Sequence, residues 1–85
     1  MKYFVYMLEN NTGRHYIGIT TDLTRRLSEH NNGGTKSTRP FGPWKKIYSE
    51  EFETRSEACK REWYLKNSPG RKEKLEIIQK FGEVA

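Results

Sequence analysis

The sequence predicts an α+β fold with its elements in the order strand, strand, helix, strand, helix, helix. Three observations predict it. Two short apolar and aromatic runs near the start, residues 3–8 and 15–19, have the length of strands, and Asn10-Asn11-Thr12-Gly13 between them has turn chemistry. Two later stretches open on helix-capping residues and then space their apolar side chains helically. A third strand-like run, Trp44 to Phe52, lies between those helices. A chain of 85 residues is expected to form one domain, placed at residues 1–82 with a short tail over 83–85.

Each element has a local cause. Gly13 is the natural left-handed residue of the first hairpin. Tyr6 and Tyr16 share a face of that hairpin if the pairing register sums to an even number and lie on opposite faces if it is odd; the sequence leaves this open. The first helix starts near Thr20 or Thr21, either of which can cap it. Leu23 and Leu27 give it an inward stripe, and Arg26 and His30, four residues apart, share one edge. Asn31-Asn32-Gly33-Gly34 ends it. Residues 31–43 then form a loop, long for so small a domain, with three glycines, two prolines, Lys36 and Arg39.

In the third strand Ile47 and Phe52 have opposite parity, so a bulge or an early end is expected. Thr54 with Glu57 makes a capping box for the second helix, which runs to about Asn67. Ser68 and Pro69 suit the N-cap and first turn of a third helix, with Leu75, Ile78 and Phe81 as its apolar side and Gly82 as its end.

Composition narrows the function. With 33% hydrophobic and 13% aromatic residues, the core is expected to be small, aromatic and two-layered. The net charge of +5, from 16 Lys+Arg against 11 Asp+Glu, points to an anionic partner: nucleic acid first, an acidic membrane surface second. The single cysteine, Cys59, excludes an intrachain disulfide and a Cys-rich zinc site and reads as a small packing residue. No signal segment and no run of ~18–20 apolar residues is present, so the expectation is a soluble cytoplasmic protein without membrane association.

Four constellations can carry chemistry, and each has a plain structural alternative. Tyr6 and Tyr16 can be ordinary half-buried sheet aromatics. Gly18 lies two residues from Tyr16 on the same face and leaves space there, the mark of a close approach by a ligand or another backbone. Glu62 continues the inward spacing of Ala58 and Leu65, where a carboxylate needs a salt bridge or a metal. Arg26 and His30 either face solvent or offer a bidentate phosphate donor beside a group that titrates near neutrality. Two groups of cations suit phosphate contacts: Arg25, Arg26, Lys36, Arg39, Lys45 and Lys46 around the long loop, and Arg55 to Lys74 on the last two helices, Lys66 among them.

Taken together these residues resemble the GIY-YIG nuclease superfamily, and the chain looks most like its small stand-alone bacterial members. The first signature corresponds to Phe4-Val5-Tyr6, retaining only the tyrosine. The second is Tyr16-Ile17-Gly18, intact. The family's catalytic arginine falls on Arg26, its histidine one turn later on His30, and its metal-binding glutamate on Glu62. The resemblance covers roughly residues 3–67. It implies a three-stranded antiparallel sheet flanked by helices. It also implies a divalent-metal-dependent DNA endonuclease, with one Mg²⁺ or Mn²⁺ on Glu62, a tyrosine accepting the proton of the attacking water, and Arg26 stabilising the phosphate charge. Branched or damaged DNA, in repair or recombination, is the candidate substrate. Without a second domain, targeting would come from the compact unit or from a protein partner.

The chain also departs from the family pattern. Ile19 stands where the excision-repair members carry a lysine, and Asn67 does not match the spacing of the family's late asparagine. The identity of the base among Tyr16, Tyr6 and His30 therefore stays open. A nucleic-acid-binding module of the same fold, without catalysis, is the alternative.

Overall fold

The computed structural model describes residues 1–36 and 38–83. Its three strands, β1 (Tyr3–Asn10), β2 (His15–Thr20) and β3 (Trp44–Phe52), form one antiparallel sheet in the order β2-β1-β3. The helices are α1 (Leu23–Asn31), α2 (Arg55–Lys66) and α3 (Arg71–Phe81). This is the α+β order expected.

The first hairpin closes as its turn residues dictate. Gly13 takes φ 86°, and the Asn10 side-chain oxygen accepts from the Thr12 and Arg14 amides at 3.1 and 2.8 Å. Phe4 faces Thr20 and Tyr6 faces Gly18, an even register sum, so Tyr6, Tyr16 and Gly18 share one face.

The sheet is covered on both faces, so the expected two layers are three. β1 is the middle strand, and Val5 to Asn10 are buried at both parities. Val5, Met7 and Ile17 pack against Ala58 and Leu65 of α2 and Ile77 of α3. On the other face Tyr6, Leu8 and Trp44 pack against Leu23 and Leu27 of α1 and Phe41 of the long loop. In β3 the pairing slips between Met7–Tyr48 and Leu8–Lys46, leaving Ile47 as the bulge residue. The slip lets Ile47 and Phe52 reach the same core despite opposite parity.

Three local expectations are corrected. Asp22, not Thr20 or Thr21, caps α1, its carboxylate accepting from the Arg25 amide at 3.0 Å. Thr20 instead accepts from the Asp22 amide at 3.1 Å and positions the cap. Ser68 and Pro69 belong to a separate 3-10 turn, Ser68–Gly70, before α3 begins at Arg71. Gly70 packs so closely on the end of α2 that a Cβ there would lie 2.1 Å from the Tyr64 carbonyl oxygen. The buried residue of α3 is Ile77, whereas Leu75 and Phe81 are 50% and 41% exposed. The Thr54–Glu57 capping box forms as read, with the Glu57 amide donating to Thr54 Oγ1 at 3.2 Å.

The 31–43 loop folds back onto the sheet. The Asn31 side chain brackets the backbone of Trp44, and the Trp44 indole donates to the Thr38 carbonyl at 3.0 Å. The expected tail begins at Glu83, whose amide donates to Glu9 Oε1 at 2.8 Å; residues 84 and 85 lie outside the described residues. No described helix is long and apolar enough to cross a membrane.

Candidate active site

α1 lies over the Tyr6 face of the sheet, and its helical spacing sends two side chains to one atom. His30 Nε2 stands 2.9 Å from the Tyr6 hydroxyl, and Arg26 Nε donates to the same oxygen at 3.4 Å. The shared edge of Arg26 and His30 is thus turned inward onto β1. His30 is 1% exposed and Tyr6 2%.

The partners assign the histidine tautomer. Thr38 Oγ1 donates to the Thr35 carbonyl at 3.4 Å, so it accepts from Nδ1–H of His30 at 2.8 Å. Nε2 is then the acceptor for the Tyr6 O–H. Burial, followed by the nearby charge of Arg26, holds the His30 pKa below its ordinary value, which keeps the ring neutral. Burial also pushes the Tyr6 phenol up to about 12, against the opposing hydrogen bond from Arg26. Arg26 is fixed in its charged form by its hydrogen bonds to Tyr6 and Glu29, with a further contribution from Tyr16.

Gly18 explains how the phenol fits. A Cβ there would lie 2.6 Å from the Tyr6 hydroxyl and 3.0 Å from a Tyr16 ring carbon. The space left by the missing side chain is filled by Tyr6, so the close approach at Gly18 is that of a side chain of the protein itself. Tyr16 is half-buried and stacks edge-on against His30 with ring centroids 4.8 Å apart.

Glu62 reaches the same edge of the sheet from α2. Ala58 and Leu65 of its stripe are fully buried, while the Glu62 side chain is 26% exposed and pairs with Lys66 at 3.2 Å. The Lys66 ammonium lies 5.9 Å from the centre of the Tyr16 ring. The Glu62 charge is near enough to help raise the Tyr6 phenol.

Among the described residues no group of three or more His, Cys, Asp or Glu side chains could cage a metal. A single, partly exposed carboxylate suits a hydrated Mg²⁺ or Mn²⁺, since Mg²⁺ keeps several waters and uses one or two protein carboxylates. Such an ion would displace Lys66 from Glu62.

Beside Arg26, a cleft of about 310 Å³ is lined by Arg25, Arg26 and Arg55, with Glu29 its one carboxylate and Ile19 in its wall. The cations concentrated there suit a phosphate. Lys36 and Arg39 are exposed on the loop and hydrogen-bond to none of the tyrosines, His30 or Glu62 among the described residues. Asn67 ends α2, donating to the Trp63 carbonyl at 2.6 Å. Sequence reasoning missed Glu29 and Thr38. Glu29 was findable, standing one turn from Arg26, to which it pairs at 3.0 Å. Thr38 lies in an irregular loop with no periodic signal.

The family model described as "GIY-YIG catalytic domain" matches residues 2–76. The chain belongs to the GIY-YIG family. It is 42% identical over 79 residues to a UPF0213 protein of Staphylococcus epidermidis, covering 92% of this chain and 95% of that one. It is 44% identical over 73 residues to a UPF0213 protein of Halobacterium salinarum, covering 84% and 95%. The solution NMR structure of a UPF0213 protein from Bacillus halodurans superposes with a TM-score of 0.58 at 36% identity, covering 96% of this chain and 88% of that one. That membership makes residues 2–76 a nuclease-type domain.

Proposed function

We propose that the protein is a divalent-metal-dependent endonuclease that hydrolyses phosphodiester bonds in DNA, with branched or damaged DNA of repair or recombination as its substrate. The observation that carries this reading is the convergence of His30 and Arg26 on the Tyr6 hydroxyl, with Tyr16 and Glu62 at the same sheet edge.

The environments divide the work. Arg26 is charged, positioned by Tyr6 and Glu29, and partly exposed, so it meets the scissile phosphate and stabilises its growing charge. A donor of this kind is often worth ~3–4 kcal/mol in mutational tests. Tyr16 is half-buried where Tyr6 and His30 are buried, so it is the side chain that, as a phenolate with its own proton already given up to solvent, accepts the proton of the attacking water. Tyr6 keeps its proton and positions Arg26; neutral His30 positions Tyr6. Glu62 would hold one divalent ion, which when bound supplies charge to polarise the phosphate and help the leaving oxygen.

Linear, nicked and branched DNAs incubated with Mg²⁺ or Mn²⁺ test the reading. Wild-type protein cuts at least one of them and Tyr16→Phe reduces the rate by ~10²-fold or more. Absence of cutting across the whole panel refutes it.

A binding module without catalysis is the second reading. Ile19 in the lysine position and the Lys66 ammonium on Glu62 favour it. It requires DNA binding that Glu62→Ala and Tyr16→Phe leave intact, with no strand scission.

A further inference from the structure

Lys66 belongs to two places. It pairs with Glu62 beside Tyr16, and it also lines a groove of about 490 Å³ between the end of α2, the start of β2 and α3. Arg71 and Lys74 project into this groove with Asn67 and Ser68, and Leu75, half exposed, is part of its wall. No Asp or Glu lines it. Arg71 and Lys74 make no ion pair among the described residues, whereas Arg61 on another side of α2 is matched by both Glu50 and Glu73. Like charges gathered in a concave surface repel one another, so the fold gains nothing from them there.

Placement relative to the candidate active site gives the groove a meaning. The arginine cleft is built on Ile19 and Thr20 at one end of β2 and on Arg55 at one end of α2. The groove is built on His15 and Lys66 at the opposite ends of the same two elements. Tyr16, Gly18 and Glu62 lie between. Four residues of strand or eleven of helix separate the two cationic surfaces by about 15 Å, the reach of a few nucleotides.

We propose that the α2–α3 groove binds the phosphodiester backbone of the cut DNA strand a few nucleotides from the scissile phosphate, with Lys66, Arg71 and Lys74 on phosphate oxygens and Leu75 against a sugar or base. This rests on the nuclease reading of Tyr16 and Glu62 for its orientation. It adds a second, separate handhold to that site.

The test is binding of a fluorescein-labelled DNA duplex in EDTA, so that no cleavage intrudes, over a series of salt concentrations. Arg71→Ala with Lys74→Ala is compared with Lys72→Ala with Lys80→Ala, which removes the same charge from α3 outside the groove. With ~0.9 lost per phosphate contact, the groove pair lowers the slope of log K against log salt by roughly 2 and the control pair by less than about half as much. In cleavage assays the groove pair raises KM and leaves kcat within about twofold. Equal slopes for the two pairs overturn the proposal. Cleavage is scored separately, so a wild-type protein that binds through the groove and cuts nothing refutes the nuclease reading and leaves the groove as a DNA site.

Discussion

The Tyr6 hydroxyl and Nε2 of His30 stand 2.9 Å apart in a buried hydrogen bond that ties the middle strand to the first helix. His30 is in turn oriented by Thr38, and Thr38 is held in the loop that Trp44 pins down. A chain of contacts therefore runs from an irregular loop to the atom that positions Arg26. The signature tyrosine of β1 is the hub of a polar network inside an aromatic cluster, while Tyr16 stays toward solvent.

Tyr6→Phe removes the donor to His30 and the acceptor from Arg26 together. The expected cost is ~1–3 kcal/mol in chemical denaturation, because His30 Nε2 stays buried without a partner. Tyr6 also has an alkaline signature. Its folded pKa, about 12, lies above the ordinary 10.0, so its contribution to stability is full below pH 10 and is lost as pH rises from 10 toward 12. Ultraviolet titration of the folded protein should show one phenol ionising near pH 12 that Tyr6→Phe deletes. A variant with an unchanged tyrosine titration contradicts this assignment.

Gly18→Ala places a methyl group 2.6 Å from the Tyr6 hydroxyl, which is buried and held by hydrogen bonds to His30 and Arg26. Overpacking of this kind costs ~1–3 kcal/mol. Thermal unfolding of Gly18→Ala should show that loss, and the Tyr6→Phe, Gly18→Ala double variant should recover part of it because the clashing oxygen is gone. Strictly additive losses contradict the contact.

His30 gives stability a dependence on mild acid. Its folded pKa is lowered from 6.5, so the unfolded chain takes up the proton first as pH falls. Stability is full above about pH 7 and declines as pH drops below 6.5 toward the folded pKa. The carboxylates whose pKa is lowered, Glu53 and Glu73, act below 4.5 and so leave the window just below pH 6.5 to His30. Denaturation midpoints of wild type should fall across that window, and those of His30→Gln, lower at neutral pH, should be flatter. Parallel slopes contradict a buried neutral His30.

Much of this fold can be read locally. Gly13 marks the hairpin turn, Thr54 and Glu57 mark the start of α2, and the mismatched parity of Ile47 and Phe52 marks the bulge. Each is decided within a few residues. The register of β1 and β2 is not, since it depends on which tyrosine the space over Gly18 accepts. The cap of α1 moved from Thr20 or Thr21 to Asp22 because three neighbouring polar residues can all cap, and only the exit of β2 chooses among them. The buried side of α3 turns on Ile77 because the 3-10 turn at Ser68–Gly70 sets where the helix begins and how it is rotated. Within the site, the spacing of Arg26 and His30 was legible, but their shared partner was not. A contact spanning 24 residues leaves no mark on either segment alone.

The most direct measurement is single-turnover cleavage of a branched DNA in saturating Mg²⁺ or Mn²⁺ by wild-type protein and by Glu62→Gln. Glu62 is a partly exposed carboxylate whose pairing with Lys66 is worth at most ~1 kcal/mol, so the substitution should leave the denaturation midpoint nearly unchanged. Wild type is expected to show metal-dependent scission, and Glu62→Gln scission at least ~10²-fold slower at equal DNA affinity. Equal cleavage by the two proteins, or none by wild type, would contradict it.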